Sequence, residues 1–152
     1  GVGGHCIAVD PWFIVSQSPG TARLIRTGRE VNNHKKVWAL EKIIAAAQGA
    51  MTQKDNLTIA LYGLAFKPDI NDFRESPALE IARDIAAKGL GRLLIVEPFA
   101  DHLPEGLVGA VLTDMNGAAK ADLHVLLVDH SAFKAAPAPK GSLVDFRGIW
   151  KT

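Results

Sequence analysis

The chain has 152 residues, 48% of them hydrophobic, and its seventeen Lys and Arg stand against sixteen Asp and Glu for a formal net charge of +1. That balance excludes a bulk field for nucleic acid or a membrane surface, and a lone cysteine excludes an internal disulfide. One domain with an appendage is expected, in the cytoplasm, since no apolar run approaches the roughly 18–20 residues of a spanning helix.

The first residue is Gly1 rather than Met, and no charged-then-apolar leader precedes it, so the start reads as an interior cut and not a secretory signal. "GVGGHCIAVDPWF" then sets Cys6 behind Gly1, Gly3 and Gly4 and ahead of Asp10-Pro11. A thiol is strongly nucleophilic only as thiolate, which needs local positive potential near neutrality. Gly3 and Gly4 permit close approaches that side chains forbid, so a substrate carbon can reach sulfur and amides can face an oxyanion. The alternative is an inert buried cysteine. Asp10 either positions a water or caps the turn into "PWFIV". His5 is a weak candidate base, because adjacent residues of an extended loop point apart.

From Thr21 almost to Gly49 the pattern is helical and free of proline. Leu24, Ile25, Val31, Val37, Trp38, Leu40, Ile44 and Ala47 recur at three-, four- and seven-residue steps, which predicts a stripe along one side. Gly28 and Asn32-Asn33-His34 predict a weak point midway. Such a helix, about 40 Å long at 1.5 Å per residue, is either a scaffold packed on its own domain or, given its length, a linker or dimerisation helix.

From Asn56 strands and helices alternate. "LTIALYG" predicts a strand closed by Gly63, and "LAFKPDINDFRE" a polar loop. Ser76 predicts an N-cap with Pro77 at the first helical position, Leu79, Ala82, Ile85 and Ala86 the apolar stripe, and Gly89 the exit. "RLLIVEP", "LVGAVLT", Leu123 to Val128 and "GSLVDFRG" supply further strands, with a short helix expected in "AAKAD" and an exposed loop at "AAPAPK". Continuous apolar strands separated by helical segments imply a parallel sheet covered on both faces, a doubly wound α/β domain. Ligands are then expected at the carboxyl strand ends, at Gly63, Glu97, Asp129 and Asp145.

One of those ends carries Lys67 and Arg74 in "GLAFKPDINDFRESP", directly before a helix N-terminus, an arrangement that suits a phosphorylated ligand. Phe66 either stacks on that ligand or plugs the core, and Asp69, Asp72 and Glu75 compete for the cations. "GVGG" lacks the preceding strand and the GxGxxG spacing of a dinucleotide fingerprint, no GK[ST] is present, and the histidines and single cysteine have no metal-ligand spacing.

Taken together, "GVGGHCIAVDPWF" and "GLAFKPDINDFRESPA" resemble the catalytic cysteine loop and the UDP-domain signature of the UDP-glucose/GDP-mannose dehydrogenase family, the nucleotide-sugar 6-dehydrogenases. "ARLIRTGREVNNHK" and "LLVDHSAFK" extend the likeness over essentially the whole chain, toward the members that oxidise UDP-N-acetyl-D-mannosamine; UDP-glucose enzymes typically carry lysine where this chain has Val9. The resemblance implies three parts: a catalytic cysteine loop at 1–20, a central dimerisation helix at 21–50, and a Rossmann-like UDP-binding domain at 51–152. In full-length members the NAD-binding Rossmann domain, with its fingerprint and the catalytic lysine and asparagine, lies upstream.

The resemblance also implies a four-electron oxidation with two NAD, in which Cys6 forms a thiohemiacetal and then a thioester with the sugar C6. Asp10 matches the aspartate near the hydrolytic water, Lys67 the lysine contacting the substrate, and Arg74 the arginine reaching cofactor phosphates; Gly3, Gly4 and Phe66 are substrate-side candidates from the reading of the loops above. Arg147, near the last strand's end, is a further substrate-side candidate. The expected partners are a UDP-sugar and a second copy of the chain through the central helix, and the expected role is surface-polysaccharide synthesis. Two other readings stand beside it: a UDP-N-acetylglucosamine 6-dehydrogenase, and a non-catalytic dimerising nucleotide sensor.

Overall fold

A computed structural model describes residues 1–51 and 56–150; positions 52–55 and 151–152 of the expected last segment lie outside the described residues. The glycine-rich start turns through residues 4–9 into α1 (Asp10–Gln17), a helix where the sequence reading has only a loop and a turn. Pro11 sits in its first turn, where its missing N–H costs nothing, and Asp10 places a carboxylate at the positive end of the helix.

α2 (Arg23–Met51) runs 29 residues without the expected weak point. Its asparagines do not compete with the helix backbone. Asn32 accepts from the Val2 N–H (2.7 Å) and donates to the Val2 carbonyl (3.0 Å), and Asn33 accepts from Arg29 one turn earlier at 3.3 Å. The single stripe is corrected. At 100° per residue Leu24, Val31 and Trp38 fall about 180° from Leu40, Ile44 and Ala47. The sheet takes the face that includes Ala39, Ile43 and Ala47, leaving Leu24 84% and Val31 66% exposed.

β1 (Thr58–Tyr62), β2 (Arg92–Val96), β3 (Val111–Thr113), β4 (Leu123–Leu126) and β5 (Ser142–Asp145) form one parallel sheet in the order β3-β2-β1-β4-β5. The expected third and fourth strands are thus shorter than their apolar runs. α3 (Pro77–Lys88) crosses from β1 to β2, with Ser76 accepting from Leu79 N and Gly89 left-handed at φ +60°, as its sequence predicts. The short helix before β4 is α4 (Met115–Ala118), capped by Asp114 and placed earlier than expected, and α5 (Ser131–Lys134) follows β4.

Strand alternation splits the core. Ile59, Leu61, Ile95 and Val125 pack on one face with Ile43, Ala47, Ile81 and Ile85, while Ala60, Tyr62, Val96 and Leu126 pack on the other with Ala118, Phe133 and Trp150. The sheet is therefore doubly wound, and the direction in which successive strands are added reverses between β1 and β4. Gly63 serves that crevice: at φ +85°, a Cβ there would lie 2.5 Å from Val128 Cβ, so strand ends meet only because the side chain is absent.

Tyr62, the sole tyrosine, is 1% exposed, with its hydroxyl oxygen 2.9 Å from His124 Nδ1, and burial pushes its pKa up to about 12. Its proton is held more tightly folded than unfolded, so this contribution to stability is whole below about pH 10 and is lost as pH rises through the folded value. Absorbance at 295 nm should show phenolate appearing near pH 12, or earlier only in step with loss of far-UV circular dichroism. A smooth midpoint near pH 10 in folded protein would contradict the burial.

Candidate functional site

The carboxyl ends of β1 and β4 open into a cavity of about 300 Å³ lined by Lys67, Phe66, Val128, Phe146 and Arg147, by Lys35 and Ala39 of α2, and by Pro77 and Ala78 at the start of α3. Four cationic side chains line it, of which Lys36 is paired with Glu80 Oε2 at 2.7 Å. Among the described residues Lys67 makes no ion pair; its ammonium stands 5.6 Å from the Phe66 ring centroid. Lys35 lies 3.3 Å over the Trp38 ring, and Trp38 meets Phe146 edge-on at 5.8 Å. Arg147 is committed in part: it binds Asp129 Oδ1 through Nη2 at 2.6 Å and Nε at 2.7 Å. Burial pushes the Asp129 carboxyl upward, but the hydrogen bond from Lys134 and the charge of Arg147 outweigh it and hold the group ionised below its ordinary range.

The glycine loop seals one side of this cavity. Gly1 and Val2 line it, and Gly3 and Gly4 are both buried. A Cβ on Gly3 would stand 2.1 Å from the Glu75 carbonyl oxygen and 2.5 Å from Pro77 Cδ. Gly4, at φ +97°, donates to that same carbonyl at 3.3 Å, and its missing Cβ leaves room for the Phe66 ring. Glycine at 3 and 4 is thus required by contact with the α3 start and Phe66.

Cys6 itself is exposed. Its carbonyl accepts from Val9 N (3.0 Å) and Asp10 N (2.8 Å), which fixes the turn that presents the sulfur. Neither Cys6 nor Asp10 lines the cavity; Cys6 lies near Arg74 and its partner Asp72, and Asp10 opens α1 four residues on. Arg74 holds Asp72 through Nε (3.0 Å) and Nη2 (2.6 Å), a pairing that pulls the Asp72 carboxyl down to about 2. The same Asp72 contacts raise the Arg74 pKa, against a small effect of burial, and a thiolate at Cys6 adds to the rise. His5 likewise stands near enough to Asp72 to lower it slightly. The structure therefore brings Phe66, Lys67 and Arg147 together, with Gly3 and Gly4 as the seam, sets Cys6 near Arg74 on the adjoining flank, and leaves Asp10 at the start of α1.

Sequence reasoning missed Lys35, Trp38's contact with it, and Phe146. Lys35 comes from a helix remote in the chain, and one lysine of a Lys-Lys pair on an amphipathic helix carries no local signal. It also missed the partnership of Glu97 with His130, although Glu97 stands at a strand end already expected to face the ligand. Among the described residues no group of three or more His, Cys, Asp or Glu side chains is placed to hold a metal, and no helix is long and apolar enough to cross a membrane.

The sequence profile of the UDP-glucose/GDP-mannose dehydrogenase family, UDP binding domain, matches residues 60–152, more than half of the chain. The chain belongs to this family. It is 50% identical to the UDP-N-acetyl-D-mannosamine dehydrogenase of Escherichia coli K12, over 99% of this chain and 38% of that protein. It is 46% identical to an NDP-N-acetyl-D-galactosaminuronic acid dehydrogenase of Ralstonia solanacearum, over 99% of this chain and 36% of that one. Among solved structures, the UDP-N-acetyl-mannosamine dehydrogenase of Staphylococcus aureus superposes with a TM-score of 0.74 at 31% identity, covering 100% of this chain and 36% of that one. A UDP-D-ManNAc dehydrogenase from Pyrococcus horikoshii superposes with a TM-score of 0.73 at 28% identity, covering 99% and 36%. This family member thus spans well under half the length of the relatives it matches.

Proposed function

We propose that the chain is the central and C-terminal part of an NAD-dependent UDP-N-acetyl-D-mannosamine 6-dehydrogenase of the cytoplasm, serving surface-polysaccharide synthesis. Residues 1–20 form the catalytic loop, 21–50 the dimerisation helix and 51–152 the UDP-binding part. Lys35, Lys67 and Arg147 carry this reading: they concentrate positive charge at the β1–β4 crevice, where a doubly wound sheet takes its ligand, and the thiol loop is sutured to the rim of that cavity. A UDP diphosphate answers the cations, and the apolar wall of Phe66 and Phe146 receives the less polar portion of the nucleotide.

On the flanking loop, Cys6 attacks the C6 aldehyde as thiolate; a C–S bond forms and the aldehyde oxygen takes a proton, giving a thiohemiacetal. Oxidation of that carbon leaves a thioester. Water, positioned by Asp10, breaks the C–S bond and yields the uronate with the free thiol. NAD, when bound, would supply the hydride acceptor for both oxidations, that of the C6 alcohol to the aldehyde and that of the thiohemiacetal to the thioester. Arg74 suits a cofactor phosphate, because its side chain is 65% exposed and Nη1 takes no part in the Asp72 pair.

Calorimetric titration tests the cavity: UDP should bind the 152-residue chain with measurable heat and UMP much more weakly, whereas equal affinities would remove the diphosphate from the reading. The chain by itself should reduce no NAD.

The exposed Leu24 and Val31, seven residues apart on the face of α2 turned from the sheet, support pairing with a second copy. Leu24→Glu with Val31→Glu should convert a sedimenting dimer to monomer, and an unchanged sedimentation coefficient would place the interface elsewhere. Oxidation of UDP-N-acetylglucosamine in preference to the mannosamine epimer by the intact enzyme would favour the second enzymatic reading. A Cys6 alkylation rate equal to that of a model thiol would favour the nucleotide sensor.

A further inference from the structure

Behind the cavity wall lie two fully buried ionisable side chains that no step above employs, Glu97 at the end of β2 and His130 just beyond β4, each with a side chain 0% exposed. Glu97 Oε2 accepts from Leu64 N (2.6 Å) and Ala65 N (3.3 Å) and lies 3.2 Å from His130 Nε2, while Oε1 accepts from Phe99 N at 3.1 Å. Burial pushes the Glu97 carboxyl upward, and the hydrogen bonds from His130 and Leu64 outweigh it, keeping it a carboxylate. A carboxylate only accepts, so His130 Nε2 carries the proton. Nδ1 is then an acceptor, and it takes the Asp69 N–H at 2.9 Å.

These bonds grip both ends of one short loop. Leu64 and Ala65 open it and Asp69 closes it; between them stand Phe66, Lys67 and Pro68, all three on the cavity. Asp69 is held at φ +60°, a costly conformation for a residue with a side chain, and its carboxylate also receives Ser131 N (2.8 Å) and Ser131 Oγ (2.6 Å). Ser76 Oγ donates to the Leu64 carbonyl at 2.6 Å. Lys67, by contrast, is an exposed four-carbon chain that no ion pair among the described residues steadies, so its direction depends on the backbone beneath it.

We propose that Glu97 and His130 are positioning residues, a buried carboxylate–imidazole clamp that sets the Leu64–Asp69 loop so that Lys67 meets the diphosphate of the ligand and Phe66 its less polar portion. The role rests on the UDP reading above; the clamp itself rests on the hydrogen bonds.

Three variants separate its halves. Glu97→Gln keeps the shape but brings an NH2 group against either Phe99 N–H or the Leu64 side, a contact of two donors. His130→Asn retains an acceptor near Asp69 N and loses the donor to Glu97, whereas His130→Gln does the reverse. Amide hydrogen exchange on the 152-residue chain should speed up at residues 64–69 in Glu97→Gln while β1 and β4 stay protected; unchanged exchange at 64–69 in Glu97→Gln and in both His130 variants would overturn the clamp. UDP affinity should fall about tenfold in Glu97→Gln, and this loss should vanish when Lys67 is already alanine. A loss that persists in full without Lys67 overturns the positioning role. If wild-type chain binds no UDP, the functional reading fails, and the positioning role with it, while exchange still decides the clamp.

Discussion

Replacing Cys6 by serine in a dehydrogenase that contains this chain is expected to abolish uronate formation, lowering it at least a hundredfold, while UDP affinity stays within about twofold. The split follows from where the sulfur stands. Cys6 is outside the cavity that holds Lys67 and Arg147, so its loss removes no binding contact. What it would remove, on the proposed mechanism, is the acyl carrier: a serine hydroxyl is far less acidic than a thiol and cannot supply the nucleophilic anion at neutral pH. The measurement is product acid by mass spectrometry beside a UDP titration. Intact-protein mass spectra of the wild type, quenched during turnover, should contain a sugar adduct on Cys6. Undiminished acid from the serine variant would dismiss the thiol as nucleophile.

Lys67→Ala is expected to weaken UDP about thirtyfold, close to 2 kcal/mol, the loss of one charge-assisted hydrogen bond. Lys67 is exposed and unpaired among the described residues, so truncation leaves no buried orphan, and the melting temperature should move by no more than about 2 °C. Lys67→Arg keeps the charge and should recover part of the loss. Raising salt should weaken the wild type more than the alanine variant, because part of the Lys67 contribution is Coulombic. Calorimetry and thermal denaturation, run on the same samples, separate ligand contact from folding. A binding constant unmoved in Lys67→Ala would transfer the diphosphate to Lys35 and Arg147.

The two predictions fall on two regions that lie far apart in the chain and meet through glycine. Gly3 and Gly4 rest on Glu75, Pro77 and Phe66, so the loop carrying the thiol and the loop carrying the lysine share one contact surface. On the proposed reading, a nucleophile held this way would act at a fixed distance from whatever Lys67 grips, and so would convert nucleotide binding into placement of a remote sugar carbon.

By itself the sequence determined the alternation of strand and helix after Asn56, the Ser76–Pro77 start and Gly89 end of α3, the family, and the two loops with their principal residues. These are local signals: continuous apolar runs, a capping hydroxyl beside a proline, a glycine where φ is positive, and long motifs whose residues are neighbours in the chain. The tertiary structure decided which side of α2 faces the sheet, because Leu24 and Ile43 are equally apolar and only packing tells an interior side from an open one. It turned the stretch after Cys6 into α1, whose eight residues are too few to announce a helix by periodicity alone. It also added Lys35 to the cavity and joined Glu97 to His130 across three strand ends, 33 positions apart. Partnerships of that kind depend on strand order, and strand order is set by the whole sheet at once rather than by any segment of it.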